Sequence, residues 1–229
     1  MLSVSVAMAT YNGEQHLGRQ LSSLAVQSCL PTELIIVDDG SSDDTLSLLA
    51  AFARNAPFPV RIHHNDYRLG YRGNFMRAAN LCSAELIAFC DQDDDWYPDK
   101  IKKCVAQFVE PDILLVHHNA HVVAENGSRI GWLNQPGLGQ AISSGPLSYS
   151  LGFTQIFRRS LLPFSNLRAM SSDESAPDQL LAHDQWIFFW RKLLAKSDIW
   201  MNLSSLMSST HEMNMGGQEI MIRKLGAPY

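Results

Sequence analysis

The chain has 229 residues, of which 46% are hydrophobic and 18% are charged, and its formal net charge is −5. This length suits one domain, or one domain with a small appendage, and the composition is that of a globular protein with a sizeable core. The negative charge argues against a nucleic-acid-binding surface and against a polybasic membrane-binding surface. No apolar run reaches the roughly 18 residues that a membrane-spanning helix needs, and we expect the N-terminus to be a first strand rather than a signal peptide.

The four cysteines show no metal-binding or redox spacing. Cys82 and Cys90 lie in apolar surroundings, where a free thiol behaves as a small hydrophobic group. We therefore expect reduced cysteines and a cytosolic protein.

The first half of the chain alternates strand and helix patterns. In chain order the predicted elements are strand 4–10, helix 14–28, strand 33–39, helix 40–55, strand 60–65, helix 72–84, strand 85–91, helix 97–110 and strand 112–123. Apolar strands that alternate with helices predict an α/β fold with a mostly parallel central sheet and helices on both faces. Ligands of such sheets bind outside the carboxyl ends of the strands.

The second half has weaker patterns. A Gly-, Ser- and Pro-rich segment follows residue 124 and is long enough to be a functional lid. A strand or turn is expected around 152–162, and a helix over 182–197.

Acidic residues follow the strand at 85–91, where four aspartates occur within five positions. Asp91 and Asp93 are one residue apart and are expected to point to the same side. Such a pair suits Mg²⁺ or Mn²⁺, which bind one or two carboxylates and complete their shell with water and substrate phosphates. The alternative is an ordinary solvated acidic loop.

Two other strand ends carry candidate binding residues. Asp39, which ends the second strand before Gly40, could accept hydrogen bonds from a base or a ribose. Thr10 and Tyr11 end the first strand and could line a nucleotide pocket, while Arg72 lies in a basic loop that suits phosphate. The alternatives are a helix cap, an ordinary turn and a solvated loop.

Three candidates lie in the second half. Asp184 lies where an N-cap residue belongs, but a carboxylate there could also take a proton from a hydroxyl. Trp186 belongs to an aromatic series that suits a core more than a substrate platform. His211 is either a structural or surface histidine, or a ligand of metal or phosphate.

Taken together, these motifs resemble the family 2 glycosyltransferases, which have the GT-A fold. The order is the same, from "VSVAMATYNG" through "LIIVDDGSSDDT", "LGYRGNF", "LIAFCDQDDDWYPDKI", "GFTQIFRRSLL" and "HDQW" to "HEMNMGG". The form of the acidic motif is similar to that of bacterial rhamnosyltransferases. The resemblance implies a single GT-A domain over 1–229, with a nucleotide-sugar-binding half at 1–123 and an acceptor half at 124–229.

The resemblance also implies a role for each candidate. Nucleotide-sugar binding falls to Thr10, Tyr11, Asp39, Arg72 and Asp91. Asp93 and His211 would bind the metal, with Asp94 as the alternative to Asp93 as the direct ligand. The acceptor or sugar pocket falls to Gly152, Phe153 and Trp186, and the catalytic base to Asp184.

The implied function is an inverting, Mn²⁺- or Mg²⁺-dependent glycosyltransferase. It would move a sugar from a dTDP-, UDP- or GDP-sugar to a glycan or lipid-linked acceptor in bacterial surface polysaccharide synthesis. The likeness of the acidic motif to rhamnosyltransferases implies rhamnosyl transfer as the specific case. We expect a cytoplasmic location, at most in peripheral contact with the plasma membrane. A non-catalytic nucleotide-sugar- or glycan-binding module is the alternative. The donor, the acceptor, the linkage and the oligomeric state are left open, and Asp95 and the short C-terminus depart from the family pattern.

Overall fold

The computed structural model describes residues 2–124, 128–132, 151–162, 181–194 and 221–223. The strands are β1 Val4–Thr10, β2 Glu33–Asp38, β3 Val60–His64, β4 Leu86–Cys90, β5 Asp94–Asp95, β6 Leu115–His117, β7 His121–Val123, β8 Arg129–Trp132, β9 Gln155–Arg158 and β10 Met221–Arg223. The helices are α1 Glu14–Ala25, α2 Thr45–Asn55, α3 Gly70–Leu81, α4 Lys100–Val105 and α5 His183–Leu194, and a 3-10 turn covers Gly152–Thr154.

A six-stranded sheet in the order β3-β2-β1-β4-β9-β6 forms the centre of the molecule. Strands β1 to β4 pair in parallel, and β9 runs antiparallel to both β4 and β6. Every residue of β1, β2 and β4 is buried, as expected for strands covered on both faces. The predicted mostly parallel α/β sheet is confirmed.

Helices pack on both faces of this sheet and form two hydrophobic clusters. One cluster joins the sheet to α1, α2 and α4, through residues such as Leu17, Leu49 and Ile101. The other joins it to α3 and α5, through residues such as Phe75 and Ile187. The side chains of each strand alternate between the two clusters, and this alternation fixes the register of the sheet.

The predicted single strand at 112–123 is wrong. The chain forms β6 and β7 there, and these strands belong to different sheets. Between them the Asn119 side chain accepts a hydrogen bond from the Ala120 N–H at 2.9 Å, and the His118 N–H donates to the Thr154 carbonyl. The His118 bond continues the pairing of β6 with the segment before β9, and the Asn119 side chain then takes the next backbone N–H in place of a strand partner.

A second sheet, in the order β5-β10-β7-β8, was not predicted from the sequence. Its strands are two to four residues long, and β5 consists of the acidic pair Asp94–Asp95. Segments this short and this polar carry no period-2 hydrophobic pattern. Several helix ends differ from the prediction: α1 ends at Ala25 rather than at residue 28, α3 covers Gly70–Leu81 rather than 72–84, and α4 covers Lys100–Val105 rather than 97–110. Helix α2 begins at Thr45 rather than at residue 40, and the Asp43 side chain accepts from the Thr45 N–H there.

None of the helices in the described part of the chain is long and apolar enough to cross a membrane. The four cysteines are free thiols, and three of them are buried. Burial raises the pKa of Cys82 to about 12 and that of Cys104 to about 11, so these thiols stay protonated in the core.

Candidate active site

The candidate site lies where the order of strands reverses. From β1 the chain moves outward to β2 and then β3, and it returns to place β4 on the other side of β1. The carboxyl ends of β1 and β4 lie side by side at this edge of the sheet, where open α/β sheets bind ligands, and we call this edge the crevice. Tyr11 follows β1, and Asp91 follows β4.

Thr10 and Asp38 are the last residues of β1 and β2 and lie beside this crevice. The Thr10 hydroxyl donates to Asp38 Oδ2 at 2.9 Å, and Thr10 is 1% exposed. Asp38 Oδ1 accepts from the N–H groups of Gly40 and Ser41 at 3.1 and 2.9 Å. Gly40 has a φ of 87°, which favours glycine in this turn. The Thr10 side chain therefore organises the turn after β2, and its contact with a nucleotide stays a prediction.

Asp39 ties that turn to the start of α3. Its Oδ1 accepts from Asn65 Nδ2 at 2.5 Å and from the Leu69 N–H at 2.8 Å, and its Oδ2 accepts from the Gly70 N–H at 2.9 Å. Arg68 Nε lies 3.9 Å from Oδ2. Asp39 is buried and holds the basic loop before α3, and its contact with a base or ribose stays a prediction.

Tyr11 meets an arginine of that loop. The Arg68 guanidinium lies 3.8 Å from the centre of the Tyr11 ring, in cation–π contact. The predicted Arg72 is partly buried one turn into α3, and its guanidinium lies 5.3 Å from the Tyr71 ring. The structure therefore brings Tyr11, Asp39 and the arginine loop together, with Arg68 rather than Arg72 over the Tyr11 ring.

We call residues 91–96, which follow β4, the acidic loop. Gln92 joins this loop to the first strand and was not predicted as a site residue. Its Oε1 accepts from the Tyr11 N–H at 2.9 Å, and its Nε2 donates to the Tyr11 carbonyl at 3.1 Å. The amide thus pairs with the Tyr11 backbone as a neighbouring strand would. Gly13 leaves the space for it, because a Cβ at Gly13 would overlap the Gln92 amide.

Asp91 lies at the centre of the acidic groups. Burial and then the nearby carboxylates of Asp93 and Asp184 raise its pKa, Lys100 opposes them, and together these effects bring the pKa to about 7. Burial also raises the pKa of Asp93, against opposing effects from its own backbone N–H and from His16. These electrostatic effects place Asp91 near both Asp93 and Asp184, although Asp184 is 93 residues away from Asp91 along the chain.

Asp94 is buried beneath this neighbourhood, together with a lysine. It is 3% exposed, and its Oδ2 has no hydrogen-bond partner among the residues that the structure describes. Burial and the charges of Asp91 and Asp93 raise its pKa well above the ordinary value, and Lys100 opposes them. Lys100 is 2% exposed and donates to the Phe153 carbonyl at 2.8 Å. Burial lowers the pKa of Lys100 to about 8, against the opposing effect of neighbouring acidic groups.

Asp184 is the second residue of α5, where a negative charge is stabilised by the helix dipole. The N-cap position predicted for Asp184 is wrong, because Ala182 is the residue that precedes the helix. Gln185 Oε1 accepts from the Ala182 N–H at 2.8 Å, in the manner of a capping box. Asp184 Oδ2 accepts from the Gly152 N–H at 3.1 Å, and Oδ1 accepts from the Gln185 N–H at 2.8 Å. Two backbone donors therefore orient a carboxylate that is 7% exposed.

Gly152 is packed against the side chain that precedes Asp184. A Cβ at Gly152 would lie 2.5 Å from His183 Nε2. The His183 ring stacks on Phe75 with centroids 4.1 Å apart and meets Phe89 edge-on at 4.7 Å. The predicted pocket residue Gly152 is therefore a glycine because the turn must pass close to a confined imidazole.

The other predicted residues of the second half lie apart from this contact. Trp186 is 4% exposed and packs with Phe189 and Trp190 in the cluster between α3, α5 and the sheet, which favours the core alternative given above for this series. Phe153 is buried beside Ala120. His211 lies outside the described residues.

The acidic groups fit a hard divalent cation. The donors that an ion could reach are the partly exposed carboxylates of Asp91 and Asp93, whereas Asp94 is buried. Within those ranges no three His, Cys, Asp or Glu side chains gather around one point. This donor set suits Mg²⁺ or Mn²⁺, which take one or two carboxylates and leave positions for water and phosphate, better than a closed protein cage.

Comparison with known proteins gives the family. The family model described as Glycosyl transferase family 2 matches residues 5–163. A UDP-Glc:alpha-D-GlcNAc-diphosphoundecaprenol beta-1,3-glucosyltransferase of Escherichia coli, WfgD, is 30% identical over 71% of this chain and 63% of its own length. A dTDP-rhamnosyl transferase of Shigella flexneri, RfbG, is 36% identical over 52% of this chain and 40% of its own length. The chain therefore spans less than two thirds of the length of these relatives.

Solved structures give the fold. TarS of S. aureus, residues 1-349 in complex with UDP-GlcNAc, matches 99% of this chain and 60% of its own chain with a TM-score of 0.68 and 21% identity. A mannosyltransferase of Pyrobaculum calidifontis, solved with GDP-Man and Mn²⁺, matches 72% of this chain and 46% of its own with a TM-score of 0.56 and 19% identity. The predicted GT-A fold is confirmed.

Proposed function

Because the chain belongs to glycosyl transferase family 2, we propose that it is a metal-dependent, inverting glycosyltransferase that uses a nucleotide-diphosphate sugar. The observation that supports this proposal is the position of Asp91, which follows β4 at the crevice between β1 and β4 and lies near both Asp93 and Asp184. A catalytic base and a diphosphate site must lie within one sugar ring of each other, and this crevice is where open α/β sheets bind nucleotides.

The nucleoside binds over the ends of β1 and β2. Tyr11 supplies a ring for base stacking, and Asp39 supplies carboxylate oxygens for a base N–H or a ribose hydroxyl. Asp39 already holds backbone N–H groups of the loop before α3, so binding at Asp39 and ordering of the arginine loop are linked. Arg68 and Arg72 then face the phosphates, to which guanidinium groups bind well.

Transfer proceeds by a single displacement at the anomeric carbon. The acceptor hydroxyl oxygen forms a bond to that carbon while the carbon–oxygen bond to the diphosphate breaks, and the electron pair leaves with the nucleoside diphosphate. Asp184 takes the hydroxyl proton, and the two backbone N–H groups that hold its carboxylate keep it aimed. Attack from the face opposite the leaving group inverts the configuration.

Asp93 and Asp91 are the residues that would hold Mn²⁺ or Mg²⁺, with His211 as a third candidate. When bound, the ion stabilises the charge that develops on the leaving diphosphate. Asp93 is partly exposed and Asp94 is buried, so Asp93 is the aspartate of the two that an ion can reach from the crevice.

The donor and acceptor classes follow from the relatives. Relatives named for UDP-Glc and for dTDP-rhamnosyl transfer make UDP-glucose and dTDP-rhamnose the first donors to test. The diphosphoundecaprenol acceptor in the name of WfgD suggests a lipid-linked saccharide for bacterial surface polysaccharide synthesis. Such an acceptor would place the protein in the cytoplasm, at the inner face of the membrane.

The experiment measures release of nucleoside diphosphate from a panel of UDP-, dTDP- and GDP-sugars, with saccharide acceptors and Mn²⁺. We expect turnover of one donor class, its loss with EDTA, and recovery with excess Mn²⁺. Asp93→Ala should abolish turnover, and Asp184→Asn should reduce it by on the order of 10²–10⁴-fold, since it keeps an oxygen for the Gly152 N–H but cannot act as a base.

Asp112→Ala is the matched control, because Asp112 is an exposed aspartate outside the crevice. Wild-type turnover by Asp93→Ala or by Asp184→Asn would refute the role given to that residue. Binding of a nucleotide sugar without turnover or hydrolysis of any donor would instead indicate a non-catalytic binding module.

A further inference from the structure

Lys100 is a buried cation that the proposed reaction does not use. Its ammonium lies 3.2 Å from the centre of the Trp96 ring and 2.8 Å from the Phe153 carbonyl, and the residue is 2% exposed. Burying a lysine is costly unless its charge is balanced and its N–H groups are bonded. Burial lowers the pKa of Lys100, and Asp94 and Asp91 of the acidic loop are among the neighbouring groups that oppose this effect.

The Phe153 carbonyl belongs to the same short turn that holds the catalytic carboxylate. Gly152, the residue before Phe153, donates its N–H to Asp184 Oδ2 at 3.1 Å. Thr154 closes the turn by donating its N–H and its hydroxyl to the Leu151 carbonyl at 2.9 and 2.6 Å. A displacement of the Phe153 carbonyl therefore also moves the Gly152 N–H that holds the Asp184 carboxylate, because both groups belong to one short turn.

Resting on the proposed function, we propose that Lys100 is a positioning residue that couples the acidic loop, where the diphosphate binds, to the turn that orients Asp184. One face of its ammonium contacts the Trp96 ring in the acidic loop, and one N–H holds the turn. Closing of the acidic loop on a bound diphosphate thus also fixes the turn and, with it, the base.

The other lysines of the same helix provide the contrast. Lys102 is exposed, and Lys103 pairs with Asp99 one turn earlier at the surface. Neither residue touches the turn at Gly152–Thr154. Lys102→Met is therefore the matched control for Lys100→Met, because both substitutions remove one positive charge from α4.

Hydrogen exchange measured by mass spectrometry tests the coupling without any activity. In nucleotide-free protein, Lys100→Met should speed exchange in the 151–158 segment by about tenfold or more, since it removes a hydrogen bond from a charged donor. Lys102→Met should leave that segment as in the wild type, and Lys100→Arg should restore most of the protection. Unchanged exchange at 151–158 in Lys100→Met would overturn the proposal.

Adding UDP or dTDP with Mn²⁺ tests the direction of the coupling. We expect the nucleotide to slow exchange at 151–158 in the wild type and in Lys102→Met. In Lys100→Met the nucleotide should still slow exchange around Tyr11, but no longer at 151–158. Equal protection of 151–158 in Lys100→Met and wild type would also overturn the proposal.

The two hypotheses fail separately. If no nucleotide binds the wild type and no donor turns over, the proposed function fails, while the nucleotide-free comparison still decides the role of Lys100. If the wild type turns over a donor and Lys100→Met has the same kcat and the same KM, the function stands and the coupling is refuted. Where Lys100→Met alone does not fold, Lys100→Met with Asp94→Asn keeps the interior neutral and serves for the nucleotide-free comparison.

Discussion

Gly152→Ala tests whether the turn beside Asp184 must pass this close to His183. An added Cβ would lie 2.5 Å from His183 Nε2, 3.2 Å from its Cδ2 and 3.4 Å from Asp184 Cβ. Non-bonded heavy atoms prefer roughly 3.5–4.0 Å, so the turn or the imidazole must move by about 1 Å. The ring cannot retreat freely, because it stacks on Phe75 at 4.1 Å and meets Phe89 at 4.7 Å.

The turn therefore moves, and the Gly152 N–H moves away from Asp184 Oδ2. A misplacement of about 1 Å at a catalytic group costs on the order of 10²-fold in rate, and overpacking costs about 1–3 kcal/mol of stability. We expect Gly152→Ala to lower kcat by about that factor and to lower the urea-derived free energy of unfolding by about that amount. The assay is donor turnover with Mn²⁺, together with urea unfolding followed by tryptophan fluorescence.

Gly18→Ala is the control, because Gly18 is exposed in α1 and has nothing within 4 Å of its ideal Cβ position. It should stabilise the protein by roughly 0.5–1 kcal/mol and leave kcat unchanged. Adding His183→Ala to Gly152→Ala removes the clash, so the double variant should lose less stability than the two single effects added together. Wild-type kcat and wild-type stability in Gly152→Ala would refute the reasoning.

Two further substitutions test the sheet edges. Glu33 accepts hydrogen bonds from Ser5 and Ser83 at 2.6 to 2.8 Å and pairs with Arg61. Burial raises the pKa of Glu33, but these bonds outweigh burial and leave its pKa below 4.5. A carboxyl with a lowered pKa stabilises the fold above its unfolded pKa and loses that contribution as the pH falls through its folded pKa. At pH 7 the free energy of unfolding of Glu33→Gln, measured in urea, should therefore be lower than that of the wild type by about 1–3 kcal/mol. This difference should disappear as the pH falls below 4.5; an equal difference at both pH values would contradict the reasoning. Gln92→Leu removes both hydrogen bonds to the Tyr11 backbone. At roughly 1 kcal/mol per bond it should weaken binding of UDP or dTDP with Mn²⁺ by about 30-fold in calorimetry; unchanged affinity would show that Gln92 does not position Tyr11.

The parts of the fold that the sequence predicts well are those set by hydrophobic burial. Strands β1, β2 and β4 are buried at every position, and the two clusters on the faces of the sheet explain the helical spacing of α1 and α3. The position of the site follows from the same fact, because parallel strands bring their carboxyl ends, and the aspartates that follow them, to one edge. The paired strands of the second sheet could not be predicted, because their short segments owe their conformation to partners that are distant along the chain.

The residues that the sequence analysis missed are polar side chains that bind a distant backbone. Gln92 pairs with Tyr11 across 81 residues, and Lys100 reaches Phe153 across 53. For Lys100 a signal exists: it is buried with Ile101, Cys104 and Val105, so the stripe of apolar residues on α4 already places it on the inward face. For Gln92 the loop sequence offers no such period.

These side chain–backbone bonds explain how loops can form a site as ordered as the sheet beneath it. Asp39 holds the N–H groups of Leu69 and Gly70, Gln92 holds both backbone groups of Tyr11, and the Gly152 N–H holds Asp184. Each bond ends on a main-chain atom, so the geometry of the partner does not depend on the identity of the partner's side chain. It follows that alanine substitution at Tyr11 should alter stacking alone, whereas substitution of Gln92 should displace the whole loop, because only the second change removes the bond that positions the backbone.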